Sequence, residues 1–186
     1  GGMPASYGGR ISSVVDVQMK EGNMSHYQFE GGIGAISSSL TIQGPIIKDK
    51  ASFIVSARRS YIEIFNRLIK SLTDGDSEGN QYYFFDINSK INYKFSDKDR
   101  IYLSGYFGRD VFNFIDPDGV FEAKIPWGNA TATLRYNHLF SDKMFMNAIY
   151  IYNDYKFEIE SKFQDVEFRL FSRVRDNTLK FDFDFF

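Results

Sequence analysis

The sequence predicts an all-β chain: an antiparallel transmembrane β-barrel segment of about seven long strands. Three observations predict it. Apolar and polar residues alternate with period two, which gives a strand one apolar and one polar face. Tight polar turns recur, with Phe95-Ser96-Asp97-Lys98 and Phe140-Ser141-Asp142-Lys143 as near copies. The strands between them run to about 12 to 15 residues, whereas ordinary strands have about 5 to 6 and a bilayer needs roughly 9 to 11. Aromatic residues make up 18% of the chain although its mean hydropathy is only -0.32, so large apolar side chains are interleaved with charge.

In chain order, Ile11 to Lys20 alternates as a strand and is broken by Glu21-Gly22-Asn23. A second long strand is expected from Met24 to Gly44-Pro45. Its apolar residues are odd-numbered at Tyr27, Phe29 and Ile33 but even-numbered at Ile36, Leu40 and Ile42. A bulge or glycine kink at Gly31-Gly32-Ile33-Gly34 would produce that switch. Lys48-Asp49-Lys50 is a short turn, and residues 51 to 65 form the next strand. Tyr61 to Leu72 places Ile62, Phe65, Leu68, Ile69 and Leu72 near helical spacing, so a helix is expected in a long loop that continues to Asn80.

The clearest alternation lies between residues 82 and 95. Tyr83, Phe85, Ile87, Ile91, Tyr93 and Phe95 share one parity, with Ser89 the only exception, and oppose Asp86, Asn88, Lys90, Asn92 and Lys94, with Tyr82 and Phe84 at the start of that second parity. Residues 100 to 114 form a strand, and Asp116 to Trp127 is read as a second long loop opened by the type I turn Asp116-Pro117-Asp118-Gly119. Ala130, Ala132, Leu134, Tyr136 and Phe140 then oppose Asn129, Thr131, Thr133, Arg135 and Asn137. Residues 144 to 160 continue the pattern, and Leu179, Phe181, Phe183 and Phe185 oppose Lys180, Asp182 and Asp184. Aromatic pairs near strand ends, such as Tyr82-Tyr83, Phe84-Phe85, Tyr93 with Phe95 and Tyr150 with Tyr152, suit interfacial girdles.

Several function classes are excluded. A formal charge of -2 does not fit a strongly basic nucleic-acid binder, and the absence of cysteine removes disulfides, zinc-cysteine sites and a thiol nucleophile. No apolar run is long enough for a transmembrane helix. His26 and His138 stand alone, without a second ligand at metal spacing. Gly31-Gly32-Ile33-Gly34 lacks the strand-to-helix setting of a phosphate loop, and no nucleophile elbow occurs. Asp74 to Gly79 starts like a calcium loop, but position twelve is Phe85 instead of Glu, so it is read as a solvated loop. No enzyme activity and no cofactor are expected. Arg58 and Arg59, adjacent on one strand, must point to opposite faces, so one should face the lumen and the other the headgroup level or beyond. The chain starts without a signal-peptide pattern and stops inside an alternating run, which reads as an internal piece of a longer protein.

Pro4-Ala5-Ser6-Tyr7-Gly8-Gly9-Arg10-Ile11-Ser12-Ser13-Val14-Val15-Asp16-Val17, followed by Lys20-Glu21-Gly22-Asn23, resembles the last plug segment of TonB-dependent outer-membrane receptors. Gly31-Gly32-Ile33-Gly34, Ser38-Ser39-Leu40-Thr41, Gly44-Pro45-Ile46 and Phe53 to Tyr61 are similar to the family's first barrel hairpin. The likeness is closest to the branch that often carries an N-terminal carboxypeptidase-regulatory-like domain. Beyond residue 61 it is one of pattern only. The resemblance implies residues 1–23 as the end of a plug domain and 24–186 as the first strands of a barrel of about 22 strands. It implies a Gram-negative outer membrane, energy from the TonB protein through a region not in this chain, and import of a scarce siderophore, glycan or peptide, with a surface lipoprotein as a candidate partner. Arg10, Arg58 and Arg59 are the candidate plug-barrel or lumen contacts. Two other readings stay open: an outer-membrane barrel with a structural, assembly or adhesion role, and a soluble β-sandwich binding module.

Overall fold

The computed structural model describes residues 17–62, 64, 80–116, 118 and 120–186. The described residues form a single antiparallel sheet of eight strands in sequential order. These are β1 (Gln28–Ile33), β2 (Ser37–Ile47), β3 (Ala51–Ser60), β4 (Gln81–Lys94), β5 (Asp99–Ile115), β6 (Phe121–Ser141), β7 (Met144–Phe163) and β8 (Val166–Phe185). Each strand pairs with the next, and no second sheet lies against either face among the described residues.

The fold class holds as an all-β antiparallel sheet, and the elements differ from expectation in four places. First, residues 24 to 44 are not one bulged strand. β1 and β2 form a hairpin, with Phe29 opposite Ile42 and Gly31 opposite Leu40. The Gly34 amide donates to the Ser37 carbonyl at 2.9 Å and closes the turn. Because an odd-numbered residue faces an even-numbered one across this hairpin, the parity switch follows from chain reversal alone. Second, β2 runs past Gly44-Pro45 to Ile47, with a register shift between Pro45 and Ile47. Proline cannot donate to a ladder, so pairing slips there and then resumes.

Third, the expected loop from Asp116 to Trp127 is only a short turn, since β6 begins at Phe121 and contains Pro126. Pro126 pairs with Val111 of β5, while the pairing to β7 lapses between Lys124 and Trp127. The missing N–H therefore falls on the side where the ladder is interrupted. Fourth, strand lengths are uneven. β1 has 6 residues and β3 has 10, whereas β6 has 21 and β7 and β8 have 20 each. The tight turns at Lys48–Lys50, Phe95–Lys98 and Asp142–Lys143 gather at one end of the sheet, as expected. In the second of these, Lys94 sits 2.6 Å from Asp97 and holds its carboxyl below the usual carboxylate range. The described part of the first expected strand, 17 to 20, joins no ladder. The expected helix beyond Ile64, the Asp74–Gly79 loop and Arg10 lie outside the described residues.

Register fixes which side chains share a face. One row across the sheet reads Phe53, Ile91, Leu103, Leu134, Tyr150, Leu179. The row below it reads Ala51, Tyr93, Ile101, Tyr136, Ala148, Phe181. The opposite face carries Ser52, Asn92 and Tyr102, and, one row on, Ile54, Lys90, Ser104 and Thr133. Burial is inverted relative to a soluble domain. Among the described residues, Ala51 and Val111 are buried hydrophobic side chains, whereas Ser52, Ser60, Lys90, Asn92 and Asp154 are buried polar ones. Leu103 stays 51% exposed, Leu134 42% and Leu179 66%. A water-soluble chain of this size normally hides such residues in a core.

Candidate functional site

The polar face carries the best-built site. Residues 24 to 27 lead into β1 from residues 17 to 23, which lie across this face instead of joining the sheet. Three points hold them there. The Ser52 hydroxyl on β3 donates to the Gly22 carbonyl at 2.7 Å, and the Asn92 amide on β4 donates to that hydroxyl at 2.7 Å. Lys90 donates to the Met19 carbonyl at 3.1 Å. The Asn23 amide donates to the Gln43 side-chain oxygen at 3.1 Å. Gly22 is close enough to β3 that a Cβ on it would overlap the Phe53 carbonyl oxygen and stand 2.5 Å from its carbonyl carbon. Only glycine permits that approach.

Charge adds to the docking. Glu21 lies 3.9 Å from Lys90 and 3.5 Å from Arg100. Lys90, Arg100 and Arg135 surround the Tyr102 ring at 5.0, 5.7 and 5.6 Å from its centroid. Their positions on β4, β5 and β6 converge because all three share the polar face around the central β5 strand. The ring's negative π face offsets part of the mutual repulsion of the cations. The Arg135 Nε is buried and makes no hydrogen bond among the described residues. At this end the face is therefore cationic, with Glu21 from the docked segment as its carboxylate.

Further along the same face, Arg58 donates through Nε and Nη2 to one oxygen of Asp86 at 2.9 and 2.8 Å and lies 4.8 Å over the Phe84 ring. The Tyr82 hydroxyl donates to Asp110 at 2.7 Å, and its ring stacks on Trp127 at 6.3 Å. Arg59 points the other way, 5.9 Å from the Tyr83 ring on the apolar face. The two arginines thus divide between faces as their adjacency requires. Tyr82 and Phe84 leave the expected girdle and furnish the polar face instead, because they share parity with Asp86. Tyr93 and Phe95 do form an edge-to-face pair at 4.6 Å, on the apolar side near the tight-turn end.

Neither histidine gathers a metal set, and no cluster of His, Asp and Glu fit to hold an ion occurs among the described residues. Asp99 accepts from the Tyr136 hydroxyl and pairs with His138 Nδ1, each at 2.6 Å. His26 is bonded to Asn23 and Gln28.

Met19 and Arg100 were not singled out by the sequence, Glu21 entered only as part of the break Glu21-Gly22-Asn23, and Arg135 only as a polar-parity residue. Lys90 and Asn92 were placed on the polar parity, but their partners lie 71 and 40 residues away in the chain, and no local pattern carries that pairing. No family model, no curated protein and no solved structure matches the chain.

Proposed function

We propose that the chain is part of a TonB-dependent outer-membrane transporter: the end of its plug followed by the first strands of its barrel. The observation that carries this reading is the two-faced sheet. One face is an uncovered apolar surface, and the other is a polar surface on which the preceding segment is docked. Lipid would cover the first, and a plug would occupy the space in front of the second. A barrel also resolves the open edges of β1 and β8, because lipid does not tolerate unpaired strand edges.

On this reading residues 17 to 23 are the hinge between plug and wall. Their anchors are few and polar: one hydroxyl, one ammonium, one amide and the two ion pairs of Glu21, of which the one to Arg100 is partly exposed. Exposed ion pairs contribute only about 0 to 1 kcal/mol. Such a latch can release without unfolding the sheet, as an importer driven from the inner membrane requires. The imported ligand belongs to the siderophore, glycan or peptide classes, with a surface lipoprotein as a candidate partner.

The test uses Met19→Cys in the full-length protein, in a background where no cysteine of this chain competes for label. Labelling of residue 19 in cells should rise when the TonB protein and the proton gradient are both present, and fall when either is removed. Labelling that ignores both would rule out an energised latch and favour a static structural barrel.

A further inference from the structure

The apolar face changes character along the strands. β6, β7 and β8, at about 3.3 Å per residue, extend roughly 65 Å, far more than the apolar band of about 25 Å that a bilayer needs. Above the apolar rows, one row of the same face reads Arg59, Phe85, Arg109, Gly128, Lys156, Arg173. The row beneath it reads Ala57, Ile87, Phe107, Ala130, Asp154, Arg175. Across both rows the face carries five cations and one carboxylate.

That carboxylate is already engaged. Asp154 receives two bonds from Arg173, at 2.7 and 2.5 Å, and lies 3.8 Å from Arg175. Arg109 and Lys156 face no carboxylate at ion-pair distance among the described residues, and both are exposed. Between them sits Gly128, where a Cβ would meet the Gly108 carbonyl at 2.6 Å. A shallow groove of about 390 Å³ lies beside it, lined by Arg109, Lys156 and Arg173, by Asp154 and Glu158, whose carboxylates are engaged by Arg173 and Arg169, and by Phe107 on its apolar side.

We propose that this groove binds the phosphate headgroup of an anionic membrane lipid, with Arg109 and Lys156 as its two phosphate ligands. The proposal rests on the membrane reading above. Arg109 and Lys156 stand two strand spacings apart, roughly 10 Å, so their long side chains can converge on one phosphate. The apolar rows below take the acyl chains, and the cations lie where those rows end. Charge complementarity selects the occupant, because a zwitterionic headgroup would bring its own cation into a cationic groove. Tilt of the strands in a barrel makes the row climb across the membrane surface, so the Arg59 end lies deepest and the Arg173 end highest.

Native mass spectrometry of the full-length barrel tests this in nanodiscs of phosphatidylcholine, with and without phosphatidic acid. Wild-type protein should retain phosphatidic acid in preference to phosphatidylcholine. The double variant Arg109→Gln/Lys156→Gln should retain it roughly tenfold less or weaker still. Lys124→Gln, higher on the same face, should behave as wild type. Equal retention by wild type and double variant would overturn the proposal, as would a loss of retention when inorganic phosphate is added at the lipid's concentration. Failure of the wild-type barrel to insert, seen separately by flotation with phosphatidylcholine vesicles, would instead defeat the membrane reading on which the site depends.

Discussion

Leu134→Arg should destabilise the barrel in phosphatidylcholine vesicles by about 2 to 4 kcal/mol, while Thr133→Arg, one residue away, should cost less than about 1 kcal/mol. Leu134 lies on central strand β6 between Leu103 and Tyr150, in the middle of the apolar rows. It is 42% exposed, and no second layer of described residues lies above it. An arginine there would have to carry its charge into hydrocarbon or distort the bilayer to reach water. Thr133 faces the polar side, between Ser104 and Ile151, where a guanidinium stays hydrated. The contrast is diagnostic. If the apolar face met water, Leu134→Arg would be an ordinary surface change within about 0.5 kcal/mol. Urea-dependent folding into vesicles, followed by tryptophan fluorescence from Trp127, measures both variants.

The second large effect is expected at Gly22. Gly22→Val should detach residues 17 to 23 from the polar face and leave the sheet intact. A branched side chain has no space beside the Phe53 carbonyl, and backbone cannot yield as a side chain can. Forcing atoms into a packed contact costs about 1 to 3 kcal/mol. Displacement also breaks the bond from Ser52 and leaves that buried hydroxyl to Asn92 alone. Hydrogen exchange of the full-length protein should show faster exchange across 17 to 23, with β3 to β6 unchanged. Unaltered protection in the segment would mean that the docking seen here does not hold it.

Period two made the middle of the fold legible. Most of β4 could be assigned to faces, because Ile87, Ile91 and Tyr93 alternate with Asp86, Asn88 and Lys90, with Ser89 as the one break between them. The repeated Ser-Asp-Lys turns located one end of the sheet. The misreadings arose where two local structures give the same pattern. A bulge and a hairpin both shift parity by one, and the glycines at 31, 32 and 34 suit either. Pro126 reads as a loop residue because proline removes a donor, yet a strand tolerates it where one neighbouring ladder is interrupted. Tyr152, Asp154, Lys156 and Glu158 turn one face of β7 from apolar to charged, and their alignment with Arg109 and Arg59 follows only from the register.

The site was less legible than the fold. Arg58 and Arg59 announce themselves by adjacency, and the structure separates them as expected. Glu21 is marked in the sequence only as part of a strand break, not as a charge with a partner. Its role follows from a segment lying across strands far away in the chain, which no periodicity encodes.

The most direct test of the central claim is a single-cysteine scan of residues 101 to 107 on β5 in the full-length protein, reconstituted in lipid. Each position would carry a spin label, read for collision with oxygen and with a water-soluble nickel complex. A two-faced membrane wall predicts that positions 101, 103, 105 and 107 collide with oxygen, whereas 102, 104 and 106 collide with nickel. Nickel accessibility at every position, or no alternation at all, would contradict it.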